Sequence, residues 1–267
     1  MKLDFLSRSL RKLGKRMGQR LIDAEKPADL FKELAKYRAG GTESNKGDGH
    51  RFLSYALSHW QKSHSQMFQD LFVAQEMKEK RQGFFVEFGA TDGVSMSNTI
   101  MLEREFAWEG IVAEPARMWH TDLLKNRRCV VDTRCVWKTS GEQIEFNETS
   151  EGALSTIDVF SNADGHAPAR ENGTKYLVDT VSLNDLLLSY NAPSNIDYLS
   201  IDTEGSELSI LGAFDFNVWN VKLITVEHNY TELRNDIFSL LSKHRYTRVL
   251  EGFSQWDDWY IKDDSHS

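Results

Sequence analysis

Carboxylates close most of the apolar runs in this chain. Glu87 belongs to Phe84–Phe88, with Asp92 just beyond it, and Glu114 follows Gly110–Ala113. Asp132 lies within Cys129–Val136, Asp202 and Glu204 follow Ile196–Ile201, and Glu227 and His228 follow Val221–Val226. Acids gathered with an imidazole can remove a proton from a hydroxyl, hold a hard divalent cation or neutralise a cationic ligand. The polarity of loops explains any one of these acids. It explains less well why nearly every run ends in one.

Those runs alternate with helical patterns. Strands are expected at 84–88, 110–113, 129–136, 143–146, 176–181, 196–201, 221–226, 247–250 and 259–261. Helices are expected at 26–37, 52–60, 67–77, 97–106, after Pro115, from Ser182, from Ser206 and at 233–243. Strand–helix alternation implies an α/β fold whose doubly wound, mostly parallel sheet is covered on both faces. Such sheets bind ligands outside the carboxyl ends of their strands, where the acids lie.

The turn Glu87-Phe88-Gly89-Ala90-Thr91-Asp92-Gly93 narrows the ligand. A phosphate-binding P-loop needs a second glycine followed by lysine, and Val94 stands there. A dinucleotide fingerprint needs glycines where Thr91 and Val94 stand, and Asp92 repels a pyrophosphate. A nicotinamide-dependent oxidoreductase is therefore disfavoured. What remains is a glycine turn with acids able to pair an ammonium or sulfonium, and Glu114 placed to accept both hydroxyls of a ribose. Together these describe an S-adenosylmethionine site.

The chain resembles the FkbM family of S-adenosylmethionine-dependent methyltransferases over roughly residues 65–262. The resemblance is carried by SQMFQDLFV (65–73), FFVEFGATDGVSMSNT (84–99), WEGIVAEP (108–115), YLSIDTEGSELSIL (198–211) and VKLITVEHN (221–229). It implies a seven-stranded Rossmann-like sheet of the class I methyltransferase type. It also implies O-methylation, commonly of sugar or glycan hydroxyls or of natural products. By the same resemblance, Glu87, Gly89, Asp92 and Gly93 surround the methionine part of the cofactor, and Phe88, Ala90, Thr91 and Asn98 belong to the same cofactor-binding set. Glu114 takes the ribose, Asp132, Cys135 and Val136 flank the adenine, and Pro115 and Asp202 complete the cofactor set. The chain departs in having Glu87-Phe-Gly89-Ala-Thr where many relatives show Asp-x-Gly-Ala-Asn, a conservative change.

Methyl transfer to a hydroxyl needs a base, and His228, Glu204, Asp202 and Glu227 are the candidates. His228 has the most suitable ordinary pKa; a structural histidine is the competing reading. Alternatively, these four can hold a divalent metal that acidifies the acceptor. The irregular stretch 148–175 is the expected acceptor lid, and it contains His166. Trp256, Trp259 and Tyr260 can stack on a sugar, but aromatics at such spacings near a sheet edge are more often core packing.

The chain has 267 residues, 40% hydrophobic and 27% charged, enough for one sizeable core. No run approaches the ~18 apolar residues of a membrane span. Cys129 and Cys135 fit no disulfide framework or metal spacing, so reduced thiols and a cytoplasmic setting are expected. The net charge of −8 speaks against nucleic-acid binding. Residues 1–22 nevertheless carry seven basic residues against one acid. Leu3, Leu6, Leu10, Leu13, Met17 and Leu21 give them one apolar face, which suits peripheral contact with an anionic membrane or docking on the protein body. Their apolar residues are dispersed, unlike those of a signal peptide. The linker AGGTESNKGDG (39–49) then divides an appendage, 1–50, from a methyltransferase domain, 51–267. The alternative to an enzyme is a non-catalytic module of this fold, anchored through residues 1–22; intact Glu87, Gly89, Gly93 and Glu114 speak against a decayed site.

Overall fold

The computed structural model describes residues 46–263. The amphipathic segment expected at 1–22, the helix expected at 26–37 and most of the linker lie outside those residues. Helix α1 (Lys46–His59) starts inside the expected linker and runs through the boundary expected at residue 50. It buries Phe52 and Ala56, which ties it to the core rather than to an appendage.

Helix α2 (Gln69–Glu76) leads to β1 (Phe84–Phe88), α3 (Ile100–Phe106), β2 (Glu109–Ala113), α4 (His120–Asn126) and β3 (Val130–Asp132). A smaller excursion follows through β4 (Cys135–Trp137), β5 (Gln143–Glu148), β6 (Thr156–Ile157), α5 (Ala167–Arg170), β7 (Thr174–Ser182) and α6 (Leu183–Ser189). The chain then adds β8 (Asn195–Ile201), α7 (Glu207–Gly212), β9 (Asn220–Glu227), α8 (Leu233–Lys243), β10 (Tyr246–Val249), α9 (Glu251–Ser254) and β11 (Asp257–Lys262).

Seven strands form one sheet in the order β10-β11-β9-β8-β1-β2-β3. All its pairings are parallel except those of β11, which runs antiparallel to both neighbours. Successive side chains of a strand face opposite layers. Val86 and Phe88 accordingly pack with α6 to α8 on one side, while Phe85 packs with α1 to α3 on the other. Both faces are buried, which is why the central strands read as continuous apolar runs. Trp259 stacks on Phe72 at 4.8 Å, and Tyr260 is buried in the opposite layer, so these two aromatics are core.

Two strand expectations need correction. The run 129–136 is not one strand but two, β3 and β4, in different sheets. At the break, Asp132 Oδ1 accepts the backbone N–H of Arg134, closing a turn that redirects the chain. The strands expected at 143–146 and 176–181 leave the main sheet as well. They form β5 and β7 of a four-stranded sheet ordered β4-β7-β5-β6, with its own apolar cluster around Trp137, Phe146, Ile157 and Val178. Among the described residues, no helix is long and apolar enough to cross a membrane.

Candidate active site

The chain builds β1, β2 and β3 outward to one side, then returns to lay β8 against the other side of β1. That reversal opens a crevice above the carboxyl ends of β1 and β8. The glycine after β1 belongs to this junction. Gly89 has φ +73°, and a Cβ there would lie 1.9 Å from the carbonyl oxygen of Asp202. Glycine is needed so that the turn can press against the end of β8. Gly93, at φ +79°, presses instead on Arg127 Cγ and Leu123 Cδ1 beside α4.

The acid expected to pair a cationic ligand is already paired within the protein. Glu87 accepts hydrogen bonds from Asn98 N (2.6 Å), Thr99 Oγ1 (2.5 Å) and Ser97 Oγ (3.1 Å), and it is bridged to Arg127 at 3.1 Å. Arg127 is fully buried and also bonds Glu103 and Thr99 Oγ1. Asp92 likewise closes its own turn through Val94 N and Ser95 N, and Asp132 is held by Arg134 and Tyr190. Asp92, Asp132, Ala90 and Gly93 are not among the residues that line the crevice. Of the expected cofactor residues, those that do are Glu87, Phe88, Gly89, Thr91, Asn98, Glu114, Pro115, Cys135, Val136 and Asp202.

The crevice is a cavity of about 570 Å³, within the range of small-molecule sites. At one end, Glu114 Oε2 accepts Thr91 N at 2.9 Å and Oε1 accepts Ala116 N at 2.8 Å. Each oxygen keeps a second lone pair, so the carboxylate suits a vicinal diol. Apolar walls from Pro115, Val136, Phe146 and Ile157 stand beside it. Burial pushes the Cys135 thiol up to about 12, which makes it a neutral part of that wall. Asn98 donates to Ser200 Oγ, but its Oδ1 is buried without a hydrogen-bond partner. A buried carbonyl oxygen at the cavity is suited to an ammonium donor. These groups fit S-adenosylmethionine: Glu114 for the ribose, the apolar slot for the base and Asn98 for the amino-acid end.

Burial pushes Glu114 up to about 7, and the charges of Asp202 and Glu148 add to the rise; hydrogen bonds from Ala116 and Thr91 oppose it. Two donated hydroxyls favour the charged carboxylate. Cofactor affinity is therefore expected to be full above pH 7 and to fall by up to ~10-fold per unit as pH drops below that value. Calorimetric titrations at several pH values check this, and Glu114→Gln should flatten the profile while weakening binding throughout.

The opposite end is acidic. Asp202, Glu204 and Glu227 each bring a carboxylate oxygen within 4.8 Å of the others. Burial drives Glu204 and Glu227 well above the usual carboxylate range, with Asp202 as the next contributor for each. Glu204 is bound to Arg170 at 2.8 Å, and the buried Arg170 also grips Asp164. This pair fastens the 148–175 segment to the end of β8. Glu207 instead closes its own loop through Thr203 N and Gly205 N.

His228 stands apart from the other three acid–base candidates. Its Nδ1 accepts Tyr230 N, its Nε2 faces Asp258 at 3.7 Å, and its side chain does not line the cavity. Adjacent residues at the end of β9 point to opposite sides, so Glu227 faces the crevice and His228 faces away. The imidazole that does line the cavity is His166, from the expected lid. The 148–175 segment is more ordered than its composition suggested: β6 and α5 lie within it, and Gly152, Ala153, Ser155, Ile157 and Gly165 also line the cavity. Asn229, Tyr230 and Trp256 line the same cavity, with Tyr230 66% exposed and thus reachable from solvent. The aromatic signal at 256–260 was visible in the sequence, but only Trp256 of the three reaches the site.

Strand order and the glycine junction at the crevice define the fold of a class I, S-adenosylmethionine-dependent methyltransferase. The methyltransferase FkbM domain model matches residues 87–250, more than half of the chain, and the chain belongs to that family. No curated protein matches it in sequence. Among solved structures it is similar to the precorrin-6y C5,15-methyltransferase of Geobacter metallireducens GS-15, at 10% identity over 72% of this chain and 85% of that one, TM-score 0.37. It is also similar to the O-methyltransferase of Bacillus cereus in complex with SAH, at 11% identity over 86% and 96%, TM-score 0.38. A third is the ribosomal protein L11 methylase of Lactobacillus delbrueckii subsp. bulgaricus, at 10% identity over 73% and 77%, TM-score 0.37. Likenesses at that level carry no argument about the acceptor.

Proposed function

We propose that this methyltransferase is O-directed and acts on a hydroxyl of a sugar, glycan or related natural product. The observation that carries the reading is the make-up of the cavity wall: His166, the carboxylates of Asp202, Glu204 and Glu227, and the aromatic rings of Tyr230 and Trp256 all line one space. Aromatic faces stack on sugar rings, and carboxylates accept their hydroxyls. The bound cofactor supplies an electrophilic methyl on a sulfonium. The protein has to align the acceptor oxygen with that methyl and take its proton as the new bond forms. His166 is assigned the proton, Asp202 and Glu227 orient the hydroxyl, and Tyr230 covers the ring.

Purified protein given labelled S-adenosylmethionine should label hydroxyl-bearing saccharides and leave amine acceptors unlabelled. His166→Ala should lower kcat by roughly 100-fold or more, in the range of general-base removal, with cofactor affinity unchanged. Labelling confined to amines would overturn the O-directed reading, and an unchanged kcat in His166→Ala would remove the histidine from it.

A further inference from the structure

We propose that Asp202, Glu204 and Glu227 hold a divalent cation that prefers oxygen ligands, magnesium or manganese, and that this ion receives the acceptor's oxygen. The inference deepens the O-methyltransferase reading and rests on it. The three carboxylates come from two neighbouring strand ends: Asp202 and Glu204 after β8, Glu227 at the last position of β9. Each offers an oxygen within 4.8 Å of the other two. Oxygens about 2.1 Å from an octahedral magnesium lie roughly 3–4 Å apart, so a small inward closure completes half a coordination shell. The other half would face the cavity, which all three residues line.

An independent observation points to a missing partner. Glu227 is 6% exposed, and its Oε2 is buried with no hydrogen-bond partner. Buried polar atoms are almost always satisfied, and a carboxylate oxygen left bare is among the costliest exceptions. The charges facing Glu227 are those of Asp202, Glu204, Glu207 and Asp257, all acidic. Arg170, the cation paired with Glu204, is divided between that residue and Asp164. Asn229 Nδ2 also holds Glu204 Oε2, at 3.2 Å, which fixes that ligand for the ion.

A cation here has a definite task. Bound to the metal, the acceptor hydroxyl becomes more acidic, and its proton passes to the base as the O–CH3 bond forms and the S–CH3 bond breaks. It also selects acceptors: two neighbouring sugar hydroxyls can chelate one ion, whereas an ammonium is repelled by it.

The test is a titration of chelator-treated, full-length protein with manganese alone, reading free ion by electron paramagnetic resonance. One manganese per chain, displaced by magnesium, is expected. Glu227→Gln and Asp202→Asn should each weaken it by more than ~10-fold, with folding checked by thermal melting. Methyl transfer should stop in chelator and return with magnesium. No stoichiometric manganese binding, or binding unchanged in both variants, would overturn the proposal. Because the titration contains no cofactor, a failure of the cofactor site shows separately in an S-adenosylmethionine titration of the same protein.

Discussion

Arg127→Ala is expected to destabilise the protein by ~3–5 kcal/mol, the cost of breaking a buried ion pair from one side. The side chain is fully buried. It joins Glu87 on β1 to Glu103 on α3, and it reaches Thr99 at the head of that helix. Removing it leaves the Glu87 carboxyl group without its cationic partner and almost wholly out of water, 2% exposed. The glycine turn depends on that same network, because Asn98 N and Ser97 Oγ both bond the Glu87 carboxylate. Cofactor binding should therefore weaken together with stability, although Arg127 lines no part of the cavity. Denaturant melts give the first quantity and calorimetry the second. The double variant Arg127→Met, Glu87→Gln should recover part of the loss, since it removes both charges. A single-variant loss below about 1 kcal/mol would show that water reaches the pair.

Gly89→Ala is expected to be nearly as damaging for a different reason. The αL conformation costs an L-residue about 1–2 kcal/mol. Relieving a Cβ only 1.9 Å from the Asp202 carbonyl oxygen adds an overpacking cost of similar size. A total on the order of 3 kcal/mol should lower Tm by roughly 6–12 °C. The β1 turn must also lift away from β8, so affinity for S-adenosylmethionine should fall more than ~10-fold, a shift above 1.4 kcal/mol. Alanine at Gly141 gives the comparison. It too has positive φ, +77°, but no atom lies within 4 Å of the added Cβ. Gly141→Ala should show the backbone cost alone and leave cofactor binding intact.

The sequence was most informative where burial constrains composition most. β1 and α8 have the expected ends, and β2, β8 and β9 differ by a residue or so, because strands covered on both faces show as unbroken apolar runs. The break at 133–134 carried a short polar signal, Asp132-Thr133-Arg134, but three polar residues between the apolar Val130-Val131 and Cys135-Val136-Trp137 do not mark that the two strands enter different sheets. Burial hid the direction of His228. With both faces of β9 buried, no polar alternation distinguishes the crevice side from the core side, so Glu227 and His228 read alike. Glu87 was recognised as important, but Arg127, its partner, lies 40 residues away and carries no local signal. His166 sat in a stretch whose glycines and asparagines read as irregular, and Arg170, which anchors that stretch, became visible only in three dimensions.

The contact between Gly89 and Asp202 joins the two halves of the crevice without any side chain between them. One half holds Glu114 and the apolar slot proposed for the cofactor, and the other holds the acidic end proposed for the acceptor. Their relative spacing is thus a property of backbone geometry and tolerates little drift. The 148–175 segment and the loop carrying Asn229 and Tyr230 are attached instead by side chains, chiefly Arg170 to Glu204 and Asn229 to Glu204. Divergence among relatives is therefore expected to follow a division of labour. The distance from methyl donor to attacking atom stays as a fixed gauge, while new acceptors arise by exchanging the walls bolted onto one glutamate.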